Sequence, residues 1–422
     1  MTADDYTPYG ERPPTPELVE LRLRAEQLVR DRQDGELLAL VEELRTDEQM
    51  WSHLWAPSVA IAARRSARGD ALVLLQDAVD NGFSQPELFE GELEEHFGTE
   101  PSWWALTAQM ESNVPAPPLT LLEWPDPGAS VPLHLYAISA EREGQLRELL
   151  PAPLPSAWST ALCLLEWVRL RWEHANDHVD EPDALDVLQR VDAGQRFACV
   201  EYSIVLSQVL NAVQIPARRV DLRQANHHVG VGRGHVVSEA WIDDLDRWVL
   251  LDGQHGSYWS GDDDEPLGLR ELQRRHRAGE GAHMVSVVDK ISDQAASTWL
   301  SYVASASTTG YTWAEDAFSP VFQDMGIVKT DRLLHDGDLA YPHLSMVSIG
   351  LGGTLEQPTV RLSSAHPYAQ GFQVRDGDSV EDVAPGDARW ALALTSGRHD
   401  VEIRTRTPYG STAPCRLDYQ AR

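Results

Sequence analysis

The chain has 422 residues, 42 % hydrophobic and 24 % charged. These are globular proportions that argue against wholesale disorder and, at ~150 residues per domain, imply about three domains. A formal net charge of −31 repels phosphate backbones and anionic lipid heads, so neither nucleic acid nor a membrane surface is expected as a partner.

The first residues, MTADDYTPYGERPP, are polar and carry no apolar run of the kind a secretory signal needs. Residues 1–14 read as a disordered lead. No stretch approaches the roughly 18 apolar residues of a membrane span, and a cytoplasmic location is expected. A helix starts at Thr15-Pro16-Glu17, with a cap residue, a first-turn proline and an acid at the positive end of the dipole. Further helices are expected to about residue 113, giving a helical domain over 15–113. Residues 114–155 open with the Pro-rich VPAPPLTLLEWPDPGASVPL and read as a linker and domain edge. Helices and strands mix over 156–335. From 336 to 422 short alternating strands predict an antiparallel β-sandwich. In HDVEIRTRT, for example, Val401, Ile403 and Thr405 alternate with Glu402, Arg404 and Arg406. The fold class is therefore α+β.

Three cysteines stand far apart, Cys163, Cys199 and Cys415, with no Cys-x-x-Cys pair. That fits a reducing compartment and argues against a disulfide scaffold or zinc ribbon. Cys163, in the apolar ALCLLEWV, and Cys415, on an expected strand, read as structural. Cys199 heads RFACVEYSIVLSQVL, a segment apolar over much of its helical circumference and so destined for a core. Pro216 ends that helix by pushing Ile215 out of helical geometry. Cys199 would then sit in the first turn, where unpaired N–H groups and the dipole favour an anion. Such surroundings can activate a thiol, and the same N–H groups can donate to an oxyanion.

A base is expected from GHVVSEAWIDDLDRWVLLDG, residues 234–253. If Asp243–Asp246 form a four-residue turn, Ile242 pairs with Arg247 and Trp241 with Trp248. His235 and Asp252 then share one face as diagonal neighbours, ~7–8 Å apart at the backbone and within side-chain reach. Glu239 shares the face but lies ~13 Å along the strand. The expected roles are nucleophile for Cys199, proton carrier for His235 and orienting acid for Asp252.

With these residues in place, 155–260 resembles the transglutaminase-like superfamily, whose cores carry a cysteine at a helix start, an IPAR-type helix exit, then His and Asp on successive strands. The matching segments are FACVEYSIVLSQVLNAVQIPARRV, GHVVSEAW and WVLLDG. The resemblance implies a papain-like core, Cys199, His235 and Asp252 as a triad, and acyl transfer on amides through a thioester. Val200 stands where the animal cross-linking enzymes have Trp, and Gly253 where Pro is frequent, so the pattern is nearer the protease-like bacterial members. Residues around 58–89 more loosely resemble a tetratricopeptide hairpin, without a second copy at a 34-residue period.

Other candidates are weaker. Gln195 could supply an oxyanion-hole amide, Trp241 and Trp248 could wall a substrate cleft, and Gln254 could touch substrate. His174 and His178, four apart in WEHANDH, have a helical metal spacing but no third ligand, and no metal or other cofactor is expected. GVGRG leads into a strand rather than a helix and is not a dinucleotide loop. The expected function is a cysteine amidase or peptidase acting on a protein or peptide. The alternatives are a silent scaffold, with protein partners held by the helical domain, and a true protein transglutaminase.

Overall fold

The computed structural model describes residues 16–44, 55–80, 92–113, 118–130, 138–179, 183–224, 234–288, 292–307 and 337–422, apart from 66, 263 and 355, together with 83, 133, 135 and 318–319. The lead over 1–14 lies outside the described residues.

Helices α1 (Pro16–Arg30), α2 (Asp34–Leu44), α3 (Trp55–Arg64), α4 (Arg68–Asp80), α5 (Glu92–Phe97) and α6 (Pro101–Asn113) form the N-terminal region. Leu37, Leu40, Ile61 and Ala78 meet in one core, and Leu75, Phe97, Trp103 and Met110 in a second.

The chain then departs from the expected linker. Strand β1 (Leu119–Glu123) pairs with the last strand of the chain, Leu119 opposite Ala421. Helix α7 (Ala140–Leu149) buries Leu146 in the central core and ties Arg147 Nε to the Ala212 carbonyl at 2.8 Å. The Pro-rich composition marks where the backbone leaves the helical region, but the strand and helix that follow belong to the two later domains.

The central domain holds α8 (Ala157–Arg169), α9 (Ala184–Asp192), α10 (Cys199–Ala212), β2 (Ala217–Arg223), β3 (Gly234–Ile242), β4 (Arg247–Asp252), β5 (Ser257–Ser260), α11 (Leu269–Ala278), β6 (His283–Ser286), α12 (Asp293–Leu300), a 3₁₀ turn over Ser301–Ala304, β7 (Ser305–Ser307) and β8 (Phe318–Ser319). Among the described residues its sheet runs β6-β5-β4-β3-β2-β7-β8, antiparallel except for β7 with β8. Helix α10 lies on one face, where Val205, Leu206, Val209 and Leu210 share a core with Ala217, Ala240, Ile242, Val249 and Leu251. The other face gathers Val220, Leu222, Val237, Leu250 and Trp259 with Leu269 and Leu272 of α11. A helix buried on nearly every side explains the lack of a polar stripe in its sequence. At its end Asn211 brackets Ala217, donating to its carbonyl at 2.8 Å and accepting from its N–H at 2.9 Å, so the chain turns directly into β2.

Residues 337–346 cross the sheet and lead to β9 (Val347–Gly353), β10 (Pro358–Ser364), β11 (Gly371–Asp376), β12 (Ser379–Val383), β13 (Arg389–Ala391), β14 (Gly397–Thr407), β15 (Gly410–Ser411) and β16 (Cys415–Ala421). Two antiparallel sheets, β1-β16-β14-β11-β12 with β15 beside β14, and β13-β10-β9, face each other over a core of Val360, Leu362, Phe372, Val401, Ile403 and Leu417. The expected alternation holds: Val401, Ile403, Thr405 and Thr407 point inward, and the charged residues between them are half-exposed. Cys415 is buried in this core. The sandwich docks on the central domain through buried His366 against Asp243 at 3.1 Å, and through Tyr409, whose hydroxyl donates to the Val213 carbonyl at 2.9 Å.

Candidate active site

Helix α10 starts at Cys199. Its N-cap, Ala198, is extended and has no side chain to bond the first turn. The first-turn N–H groups are therefore left for another acceptor. Glu201, the acid of that turn, is buried and turned aside: its carboxylate accepts from His178 Nδ1 at 3.2 Å and from the Val179 N–H at 3.1 Å. The approach to Cys199 is clamped by residues 172–179. The Ala175 N–H donates to the Phe197 carbonyl at 3.0 Å, the Ala198 N–H to the Asp177 carbonyl at 3.2 Å, and Trp172 stacks on Tyr202 with centroids 4.0 Å apart. The thiol is partly exposed.

The β3–β4 hairpin has the expected register, with Trp241 opposite Trp248, Ile242 opposite Arg247, and a turn over 243–246. That even-numbered turn puts His235 and Asp252 on one face, and they meet: His235 Nε2 donates to Asp252 Oδ2 at 2.8 Å, both side chains being about 5 % exposed or less. Cys199 lies near enough to the same imidazole to favour its protonated form. With Nε2 engaged by Asp252, the nitrogen left to serve Cys199 is Nδ1. Burial alone would lower the pKa of His235, but the Asp252 charge and hydrogen bond, with Cys199, overcome it and push it up to about 10. Burial likewise opposes the Asp252 charge, yet His235 and His255 hold that carboxyl well below the usual carboxylate range.

Gly253 explains how strand and helix come so close. A Cβ there would lie 3.1 Å from the Tyr202 carbonyl oxygen in the first turn of α10. The bare α-carbon lets the end of β4, with Asp252, reach the first turn of α10.

Three residues not singled out in the sequence, His255, Trp299 and Tyr302, converge here, and His174, read there only for its spacing to His178, joins them. His255 Nδ1 also donates to Asp252 Oδ2, at 2.8 Å. Trp299 of α12 lies over both imidazoles, 4.4 Å from His235 and 4.8 Å from His255 between centroids, with Tyr302 5.0 Å behind it. His174 stands at the rim: burial first, then the charges of His255 and His235, lower its pKa. The turn D-G-Q-H-G carries a readable signal for His255, because an Asp opening such a turn bonds the backbone two and three residues on. Trp299 had no local signal, and the spacing that singled out His174 pointed to a metal rather than to this site.

The remaining candidates fall elsewhere. Trp241 and Trp248 are a buried cross-strand pair with edge-to-face rings 6.0 Å apart, covered by Leu344 and Tyr341. They lie ~20 Å along the strand from His235, and residues 337–346 occupy the face that a cleft would need. Gln195 is exposed, its N–H bonded to the Arg190 carbonyl at 3.0 Å, and among the described residues no hydrogen bond joins its side chain to Cys199. Gln254 is at the site, its N–H donating to Asp252 Oδ1 at 3.0 Å. His174 and His178 are on irregular chain, since α8 ends at Arg169, so their helical metal spacing does not form. Among the described residues His235, Asp252 and His255 do have ligand atoms within 4.8 Å of one another, close enough for a metal ion, but those same atoms make the two histidine–carboxylate hydrogen bonds.

No curated protein matches the chain. Residues 149–253 match the family model of the transglutaminase-like superfamily, a span that starts just before α8 and ends one residue past Asp252. It takes in the helix start, both strands of the hairpin and all three residues of the Cys-His-Asp arrangement, and excludes the N-terminal helices, whose expected tetratricopeptide resemblance no match supports. Over these residues the chain is similar to the transglutaminase-like superfamily, which supports the resemblance read from its motifs.

Proposed function

We propose that the central domain is a cysteine acyl-transfer enzyme acting on amide or peptide bonds through a thioester. The observation that carries this reading is the 2.8 Å His235–Asp252 hydrogen bond with Cys199 near the same imidazole, at the start of an uncapped helix.

The chemistry follows from these positions. The Cys199 thiol proton resides on His235, whose charge Asp252 offsets, and the thiolate attacks the carbonyl carbon. The oxygen gains the displaced electron pair beside the first-turn N–H groups, which were left without a side-chain cap and donate to it. The C–N bond then breaks, and the leaving amine takes the proton from His235, which leaves a thioester on Cys199. Water, or a second amine, gives a proton back to His235 and attacks the thioester. The products are a free acid or a new amide and the restored thiol. Asp252 keeps the imidazole oriented and offsets its charge throughout.

The substrate is proposed to be a protein or peptide. The helical region adds exposed Val19, Leu23, Val73 and Trp104 as contacts for a protein partner. Among the described residues no helix is long and apolar enough to cross a membrane, and we place the reaction in the cytoplasm.

The test is intact-mass analysis of the full chain incubated with a library of peptide amides and thioesters, with and without a primary amine. The expected result is an acyl adduct on the Cys199 peptide, absent in Cys199→Ser. Release to acid despite added amine marks a hydrolase, and release to the new amide marks a transferase. Absence of an adduct from every substrate, with Cys199 accessible to small alkylating agents, overturns the reading in favour of a silent scaffold.

A further inference from the structure

Asp252 serves two histidines, not one. Its Oδ2 accepts from His235 Nε2 and from His255 Nδ1, each at 2.8 Å, and its Oδ1 accepts the N–H groups of Gln254 and His255 at 3.0 and 3.1 Å. Three of these four donors come from the turn that follows Asp252. The turn is shaped to supply them: Gly256 has φ +59, and a Cβ there would press on Arg169. His255 is held at its far end as well, with Gln254 Nε2 3.3 Å from its Nε2. The amide donates to that nitrogen, so the proton of His255 is on Nδ1 and points at Asp252. Trp299 seats both rings.

We infer that His255 is a positioning residue for the triad, a second imidazole that fixes the Asp252 carboxylate while His235 uses the same oxygen. The inference rests on the acyl-transfer reading above. Without the His255 ring, Oδ1 keeps its two backbone N–H groups, but Oδ2 is left with His235 as its one donor, the carboxylate can swing further about its Cβ–Cγ bond, and one lone pair of a buried oxygen goes unmet. Rotation would carry Oδ2 away from His235 Nε2 and release the imidazole from the orientation that faces Cys199. The role is performed by the Nδ1–H donor and needs neither a charge on His255 nor its ring area. The groups that face it are Asp252, His235, Gln254 and Trp299, with His174 acting through charge.

The donor and the ring can be separated experimentally. Asn places an amide N–H where His has Nδ1–H, whereas Phe keeps the ring under Trp299 and has no donor. The measurement is the iodoacetamide alkylation rate of Cys199 from pH 5 to 9, read by peptide mass spectrometry, in wild type, His235→Ala, His255→Ala, His255→Asn and His255→Phe. Losing one donor should slow the reaction at pH 6 about 3–10-fold in the Ala and Phe variants, and Asn should restore it to within about 2-fold. If the His235 variant is slow while all three His255 variants match wild type, the triad stands and the inference is overturned. If Phe restores the rate and Asn does not, the ring acts by packing and the inference is again overturned. If His235→Ala matches wild type, the triad reading itself fails, and the inference with it.

Discussion

Arg218→Met should destabilise the central domain sharply, and by an amount that depends on pH. Arg218 is the arginine of the IPAR turn, and it is buried on the sheet face away from α10. Its Nε donates to Glu239 Oε2 at 3.0 Å and its Nη1 to the Ala340 carbonyl at 2.9 Å, while its guanidinium lies 4.8 Å from the Trp248 ring and 4.6 Å from the Tyr341 ring. Met keeps the stem and removes the charge. Glu239, 0 % exposed, would then rely on the Tyr341 hydroxyl, which donates at 2.6 Å. Breaking a buried pair from one side costs about 3–5 kcal/mol, or roughly 6–20 °C in Tm for a domain of this size. Burial already raises the Glu239 pKa, with Arg218 the largest opposing influence. The folded state therefore binds this proton more readily than the unfolded chain, and Glu239 costs stability as pH rises above its unfolded value of ~4.3. Without Arg218 that cost grows, so the penalty at pH 8 should exceed the penalty at pH 5. The assay is thermal unfolding at both pH values followed by tryptophan fluorescence, in wild type, Arg218→Met and Arg218→Met/Glu239→Gln. The double variant should recover more than half of the loss. A single-variant loss below about 1 kcal/mol, well short of the buried-pair range, or equal losses at the two pH values, would refute the reasoning.

Further outcomes are expected from the same contacts. His235 has a folded pKa of about 10 against 6.5 for the free side chain, so its contribution to stability is complete below pH 6.5 and disappears as pH rises toward 10. The Tm difference between wild type and His235→Gln should narrow over that range, and a constant difference contradicts the pairing. Asp252→Asn loses the negative charge and puts an amide where both histidines donate. It should lower acyl transfer about 10²-fold or more in a single-turnover assay, while Cys199 remains accessible. Gly253→Ala forces a methyl against the Tyr202 carbonyl and should slow Cys199 alkylation several-fold at unchanged pH optimum. Asn211→Ala strips partners from both backbone groups of Ala217 and should cost about 1–3 kcal/mol for each group orphaned, measured by urea unfolding.

The hairpin shows why part of the site was legible. Alternation along HVVSEAWI and RWVLLD, joined by an even turn, determines that His235 and Asp252 share a face whatever the rest of the chain does. The helix start at Cys199 followed equally from local pattern, and its place near His235 closed the set. The same alternation placed Trp241 and Trp248 together but could not tell which face is covered. The cover is residues 337–346, almost 90 positions further on, with Trp248 Nε1 donating to the Pro342 carbonyl at 3.0 Å. Trp299 joins the site through tertiary packing that no local pattern marks, and His174 does so on irregular chain after α8 rather than through its helical spacing to His178. Strand β1 was hidden for a related reason: LTLLE finds its partner at the opposite end of the chain, Leu119 against Ala421, and no spacing rule links the two.

The central claim, that His235 activates Cys199, is tested most directly by the alkylation rate of each cysteine against pH in wild type and His235→Ala. The account predicts that Cys199 reacts fastest of the three and well below pH 8, and that the variant loses this advantage while Cys163 and Cys415 keep their rates. If Cys199 reacts no faster than Cys163, or reacts alike with and without His235, the thiol and the imidazole are neighbours without chemistry between them, and the acyl-transfer reading is contradicted.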